Sequence, residues 1–276
     1  MWRKFEVEDV EMFIDSLPEA EFAKVKIDYK GRLYNTDDYK AVVKKGSGYL
    51  YSIVGNRYVI VQHKEVIKAV EQVIESYNLK PKMRIATVNT KTGVRVFYDV
   101  IFEDTKIDGE KLMFGIRVSN SYNGKSSISI NGMGIRDVCS NLMVFGTDLM
   151  AEWIIHAGKP LDKLIKQILP NTMETLVTIQ DVIKAAMKET ISPNEILEFV
   201  KSLKVSKKMA KRILSYIRTE TGVSFEKAMA ENIDLNRWGV YNAFTRALTH
   251  DTRNLSQETV HELNKRVSKL IAVQTG

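Results

Sequence analysis

Two segments between Lys82 and Asn131, separated by a predicted polar turn from Asp104 to Lys111, place apolar residues at alternating positions, the period of a half-buried strand. Ile85, Thr87, Val94, Val96 and Tyr98 flank Thr90-Lys91-Thr92-Gly93 and predict one hairpin. Leu112 opens a second, in which Ile128 and Ile130 alternate with Ser127, Ser129 and Asn131 beyond Asn123-Gly124. Asn and Gly both tolerate positive φ, which makes that pair a strong turn signal. Upstream, AKVKIDY and RLYN predict a hairpin about Lys30-Gly31, and two more are predicted to turn at Gly46-Ser47-Gly48 and Gly55-Asn56. The period becomes helical twice in this half. Val7, Val10, Met12 and Phe13 predict a short helix ending before Pro18. Val66, Ile67, Val70, Val73 and Ile74 predict a longer one from Gln62 or His63 to about Tyr77.

After Gly146 the texture is helical throughout. Cys139, Ser140 and Asn141 mark the change, and DLMAEWIIHAG and LDKLIKQIL read as helices broken by Gly158-Lys159-Pro160 and Pro170. Thr178 and Asp181 form a capping-box pattern, and Ser192-Pro193-Asn194-Glu195 adds a first-turn proline to another. Further helices are predicted from Ser206, from Asp234 or Asn236, and over SQETVHELNKRVSKLIAV. The expected fold is α+β: a mostly antiparallel sheet with one prominent helix over residues 1–146, followed by a helical region over 147–276 packed on it.

Charge sharpens this picture. A net charge of +7 favours a polyanionic partner, nucleic acid above all. The lone cysteine, Cys139, excludes an intramolecular disulfide and points to a reducing, cytoplasmic setting. No apolar run approaches a membrane span, and the N-terminus turns acidic where a secretion signal would be apolar.

Candidate chemistry follows the charge. A nucleic-acid groove needs cations for phosphates and flat side chains for bases. On the strand half Lys44, Lys45, Arg57, Lys82, Arg84, Arg95, Arg117, Lys125 and Arg136 supply the first, and Tyr49, Tyr51, Tyr58, Tyr98 and Tyr122 the second. The plainer alternative is a solvated sheet face edged by tyrosines. Lys204, Lys207, Lys208, Lys211 and Arg212 form the densest run of cations, on helices that also resemble a helix-turn-helix pair. Trp238, Tyr241, Asn242, Thr245 and Thr249 share a helical face, read as packing with Asn242 bonded to nearby backbone. Gly124-Lys125-Ser126 mimics the tail of a phosphate-binding P-loop, but Ser119 stands where the leading glycine is needed and a strand follows instead of a helix. Asp99, Asp104 and Lys106 mimic part of a nuclease signature, read as acids in a turn. His63, His156, His250 and His261 show no metal-ligand spacing, so neither a metal nor a cofactor is expected.

Three stretches occur in order: Gly55-Asn56-Arg57-Tyr58 to Val61-Gln62, Ser119 to Gly124 with Ser126, Arg136, Cys139 and Asn141, and Trp238 to Thr245 ending at His250. Together they resemble a family carried by phages and plasmids and known as domain of unknown function 932. The resemblance spans roughly residues 40–250. It implies an element-borne role beside replication and recombination, with single-stranded DNA as partner. The sheet-plus-helix outline is also similar, by fold analogy alone, to annealing proteins of the RecT, Redβ and Erf kind. The expected function is ATP-independent binding and annealing of single-stranded DNA by a homo-oligomer, beside a partner nuclease or replication protein. The alternatives are a structural or interaction protein without nucleic-acid chemistry, a duplex-binding regulator, and a metal-dependent nuclease.

Overall fold

The computed structural model describes residues 2–89, 91–107, 109–124, 128–136, 141–144, 152–154, 178–252 and 255–271. The fold is α+β, with mostly antiparallel sheets and a helical C-terminal region. The described residues form two compact units. One draws on Met1–Phe102, Ile116–Ile130 and Glu152–Asn171, the other on Glu103–Gly115, Asn131–Ala151 and Thr172–Gly276.

The chain opens with a strand absent from the sequence reading, β1 (Trp2–Glu6), which pairs antiparallel with β5 (Met83–Asn89). Helix α1 (Val10–Ser16) follows, capped by Asp9, whose carboxylate accepts from Met12 N at 2.8 Å. Strands β2 (Ala20–Tyr29), β3 (Arg32–Lys44) and β4 (Leu50–Gly55) make a separate three-stranded sheet. Lys30 and Gly31, at φ 53° and 78°, turn its first hairpin as predicted.

The hairpin expected at Gly55-Asn56 does not form. Residues 57–62 are not strand; they lead irregularly from β4 to α2 (His63–Ser76). Tyr58 and Ile60 pack with Val42 and Tyr122 in a small core, and that packing outweighs strand pairing here. In α2 the predicted stripe of Val66, Ile67, Val70, Val73 and Ile74 is buried. Each such side chain contributes about 1.5–3 kcal/mol on burial, far more than helix propensity does.

The large sheet runs β1-β5-β6-β7-β8-β10, with β6 at Arg95–Ile107, β7 at Glu110–Ser121, β8 at Ile128–Arg136 and β10 at Glu152–Ile154. Strand β9 (Asn141–Val144) pairs with Met133–Arg136 of β8, and β10 with Ile128–Ile130. Helix was expected after Arg136 and again over DLMAEWIIHAG. Both β9 and the Glu152–Ile154 part of the second stretch are strand instead. Short apolar runs fit either period, and here the edge of β8 decides. The rest of those two predicted helices, together with Lys125, Ser126, Cys139 and Ser140, lies outside the described residues.

The predicted LDKLIKQIL helix also lies outside the described residues, and helix α3 spans 178–188, so Thr178 is helical and not the flanking cap expected of it. The helices after it follow their caps. In α4 (Pro193–Ser202) Ser192 Oγ accepts from Glu195 N, and the Glu195 carboxylate accepts in return from Ser192 N at 2.9 Å. Helix α5 (Lys207–Thr221) starts at the Ser206 cap and stops at Gly222, φ 79°. A short α6 (Phe225–Glu231), unread in the sequence, precedes α7 (Arg237–His250) and α8 (Gln257–Val267). Residues 190–191 (β11) and 235–236 (β12) form a minimal ladder between them. Helices α5 and α7 meet at Gly239, where a Cβ would lie 2.8 Å from Thr221 Cγ2 and 2.9 Å from Glu220 O. Only glycine allows that approach.

Candidate nucleic-acid interface

The predicted cations divide by what surrounds them. Arg95 and Arg117 are 5% and 4% exposed. Arg117 closes on Asp99 with two bonds of 2.6 Å, so both groups neutralise each other inside the unit. Asp99, like Asp104 and Lys106, lies on β6 and not in a turn, and both Asp99 carboxylate oxygens are occupied. Arg84 clasps Glu71 at 3.0 and 2.8 Å, and the Tyr98 hydroxyl donates to the same carboxylate. Burial first, then the nearby Glu71 charge, pushes the Tyr98 pKa well up. Arg136 holds Glu110 through two bonds and Glu220 through a third, while Trp238 Nε1 and Arg246 complete the shells of those carboxylates. Lys45 and Lys64 both donate to Glu19, holding its carboxyl at about 2. Arg57, Lys82, Lys207, Lys208, Lys211 and Arg212 are exposed, and Lys44 is half-buried.

The polar run at 119–123 is also interior. Ser119, Asn120, Ser121 and Tyr122 are fully buried. Asn120 Nδ2 donates to Val61 O (2.9 Å) and to His63 Nδ1 (3.0 Å), while its Oδ1 accepts from Ser121 N. The imidazole then carries its proton on Nε2 and donates to Gly93 O at 2.9 Å. The Tyr122 ring stacks on His63, centroids 3.9 Å apart, and on Tyr51. Its hydroxyl accepts from His63 N and reaches Pro18 O and Gln62 Oε1. Ser119 bonds Ser129, and Ser121 bonds Asn123. Burial pushes Tyr122 up strongly, and pushes Tyr51 and Tyr58 up to about 12. Gly93 completes the hub, for a Cβ there would overlap Pro18 Cγ. This run is a fastening point whose groups satisfy one another.

The surface that does face solvent is the β2–β4 sheet. Phe22, Ile27, Tyr29, Leu33, Tyr34, Tyr39, Tyr49, Leu50 and Ile53 are all more than 40% exposed. The other exposed large apolar side chains among the described residues are scattered: Met12, Val59, Tyr77 and Met229. Register puts Ile27 with Tyr34 and Tyr29 with Arg32 on one face, and Leu33 with Asp28 on the other. Away from the buried end at Ala20, Ala41, Val42 and Val43, both faces are thus apolar in part and exposed. Cations stand among the rings: Lys40 Nζ lies 4.9 Å from the Phe22 centroid and Lys30 Nζ 5.3 Å from that of Tyr29. From Ala20 to Gly55 seven cations face four acids. Sequence reasoning took Lys44, Lys45, Tyr49 and Tyr51 from this region and missed the rest. The available signal was alternation in both partner strands with no third layer in the sequence to cover the apolar set.

The Trp238 face of α7 is packing, as expected: Trp238, Tyr241, Asn242 and Thr245 are buried, and Asn242 Nδ2 donates to Trp238 O at 3.0 Å. Lys208 and Arg212 line a cleft within the helical unit, whereas Lys207 and Lys211 do not. Among the described residues no helix is long and apolar enough to cross a membrane.

The family profile described as "Domain of unknown function (DUF932)" matches residues 50–271, most of the chain, and the protein belongs to that family. The match begins at the first residue of β4, so β2 and β3 precede it. No curated protein matches the chain. No solved structure matches it either.

Proposed function

We propose that the protein binds single-stranded DNA without ATP, in the recombination or replication of a virus or plasmid, and that the β2–β4 sheet is the binding platform. The observation that carries this reading is the set of five exposed rings, Phe22, Tyr29, Tyr34, Tyr39 and Tyr49, interleaved with Lys24, Lys26, Lys30, Arg32 and Lys40. Bases stack on rings whatever their sequence, at about 1–3 kcal/mol each, and cations track the phosphates. Duplex DNA hides its base faces and offers such a platform only its backbone. Annealing of the RecT kind would add oligomerisation along the strand, with base edges left free to pair and a nuclease or replication protein beside it. The test is fluorescence anisotropy with a labelled oligothymidine and a duplex of equal length, at low and moderate salt, without ATP or divalent metal. Tight, salt-sensitive, single-strand-selective binding is expected. Equal affinity for duplex, or none for either, overturns the reading.

One observation favours a second reading. Ile27, Leu33, Leu50 and Ile53 are aliphatic and exposed on the two faces of this small sheet, and exposed apolar surface concentrated in one element marks contacts between proteins. On that reading the sheet joins copies of the chain in a structural assembly. Sedimentation velocity decides: large particles without DNA, dispersed by Ile27→Lys with Ile53→Lys, would favour assembly over DNA binding.

A further inference from the structure

The helical unit contains a cleft of about 700 Å³ with a divided lining. Leu203, Met209, Leu255 and Leu263 form an apolar floor. Lys204, Lys208, Arg212 and Arg266 stand around it, with Asp251 and Glu262 as the acids. Both acids are already engaged: Asp251 with Arg212 at 3.4 Å, and Glu262 with Lys265 at 4.0 Å. Lys204, Lys208 and Arg266 make no ion pair among the described residues. The cleft therefore presents three uncompensated cations above a greasy floor. The volume lies in the range of organic-ligand pockets, too large for a bare anion. Among the described lining residues the imidazole of His250 is the one aromatic ring, so successive nucleobases would find no run of platforms to stack on.

We infer that this cleft binds an acidic peptide segment carrying one or two bulky apolar side chains. The apolar side chains fill the floor, and flanking carboxylates meet Lys204, Lys208 and Arg266. Such a segment would belong to another protein, and the inference stands apart from the DNA-binding reading because it uses different residues in the other unit. It also gives Lys208 a role that Lys207, one position away on the same helix but off the lining, does not share.

The test is selection of displayed random peptides on the full chain, with the Lys208→Glu/Arg266→Glu variant as counter-selection. Enriched peptides are expected to carry Asp or Glu around Leu, Ile or Phe. Labelled copies should weaken by about tenfold or more with the double variant, and as much when the peptide's apolar residue becomes Ser. Lys207→Glu should leave affinity within about twofold. Circular dichroism and urea midpoints verify that the exposed-site variants fold. Failure to enrich any clone above the counter-selected background, or enrichment of peptides without acids, overturns the proposal. So does displacement of a bound peptide by an oligonucleotide that loses affinity with the same reversal, which would assign the cleft to nucleic acid.

Discussion

Two stretches of the first unit exchange the roles their residues suggest. Ser119, Asn120, Ser121 and Tyr122 carry polar groups and are buried; β2–β4 is rich in exposed apolar side chains. The polar run can be interior because its bonds close on themselves: Asn120, His63 and Gly93 O form one chain, and Tyr122, Gln62 and Pro18 O another. A buried polar group without a partner costs about 1–3 kcal/mol, so such a network is stable only when complete. The sheet has the opposite constraint. Its rings and aliphatics gain nothing from water, and exposed apolar patches of this kind mark contact surfaces. Polarity alone therefore misjudges which side chains meet water; closed hydrogen bonding and packing decide it.

The comparison breaks most sharply at its buried side. His63→Leu keeps volume but leaves Gly93 O and one of the two Asn120 Nδ2 hydrogens without their imidazole partner, and should cost about 2–4 kcal/mol in urea unfolding. At temperatures where the variant stays folded, single-strand affinity should be unchanged. Tyr34→Ala with Tyr39→Ala should do the reverse. Stability stays within about 0.5 kcal/mol, as for exposed sites generally, and oligothymidine affinity drops about tenfold to a hundredfold. If both halves of that contrast fail, the sheet is not the platform. A finer effect is expected from Lys24→Ala, Lys26→Ala and Lys40→Ala combined. Three phosphate contacts fewer should lower the slope of log affinity against log salt by about 2.

The smallest effect sharpens the hub's boundary. Burial raises Tyr51 and Tyr58 to about 12, above the ordinary tyrosine value near 10. A folded pKa raised in this way favours the neutral ring in the native state. Its contribution to stability is full below about pH 10 and is lost as pH rises toward 12. Tyrosinate absorbance should show a late phase in that window, and Tyr51→Phe should shrink it by one proton.

The caps at Ser192 and Ser206, the Lys30-Gly31 turn and the α2 stripe were legible in the residues because each depends on neighbours within a few positions, whereas the hairpin expected at Gly55-Asn56 gave way to distant packing. Ser192 with Glu195, Ser206 before α5, and Lys30-Gly31 are local bargains between a side chain and the nearest backbone. Resemblance in three ordered stretches was likewise enough to place the chain in its family. What lay beyond sequence was which charges are spent and which strands find edges. Arg117 meets Asp99 across 18 positions and Arg136 meets Glu220 across 84. Strands β9 and β10 exist because β8 offers them a ladder. Partner choice of this kind is non-local: a cation's sequence reads the same whether it faces a carboxylate or water, and only the packed chain fixes which.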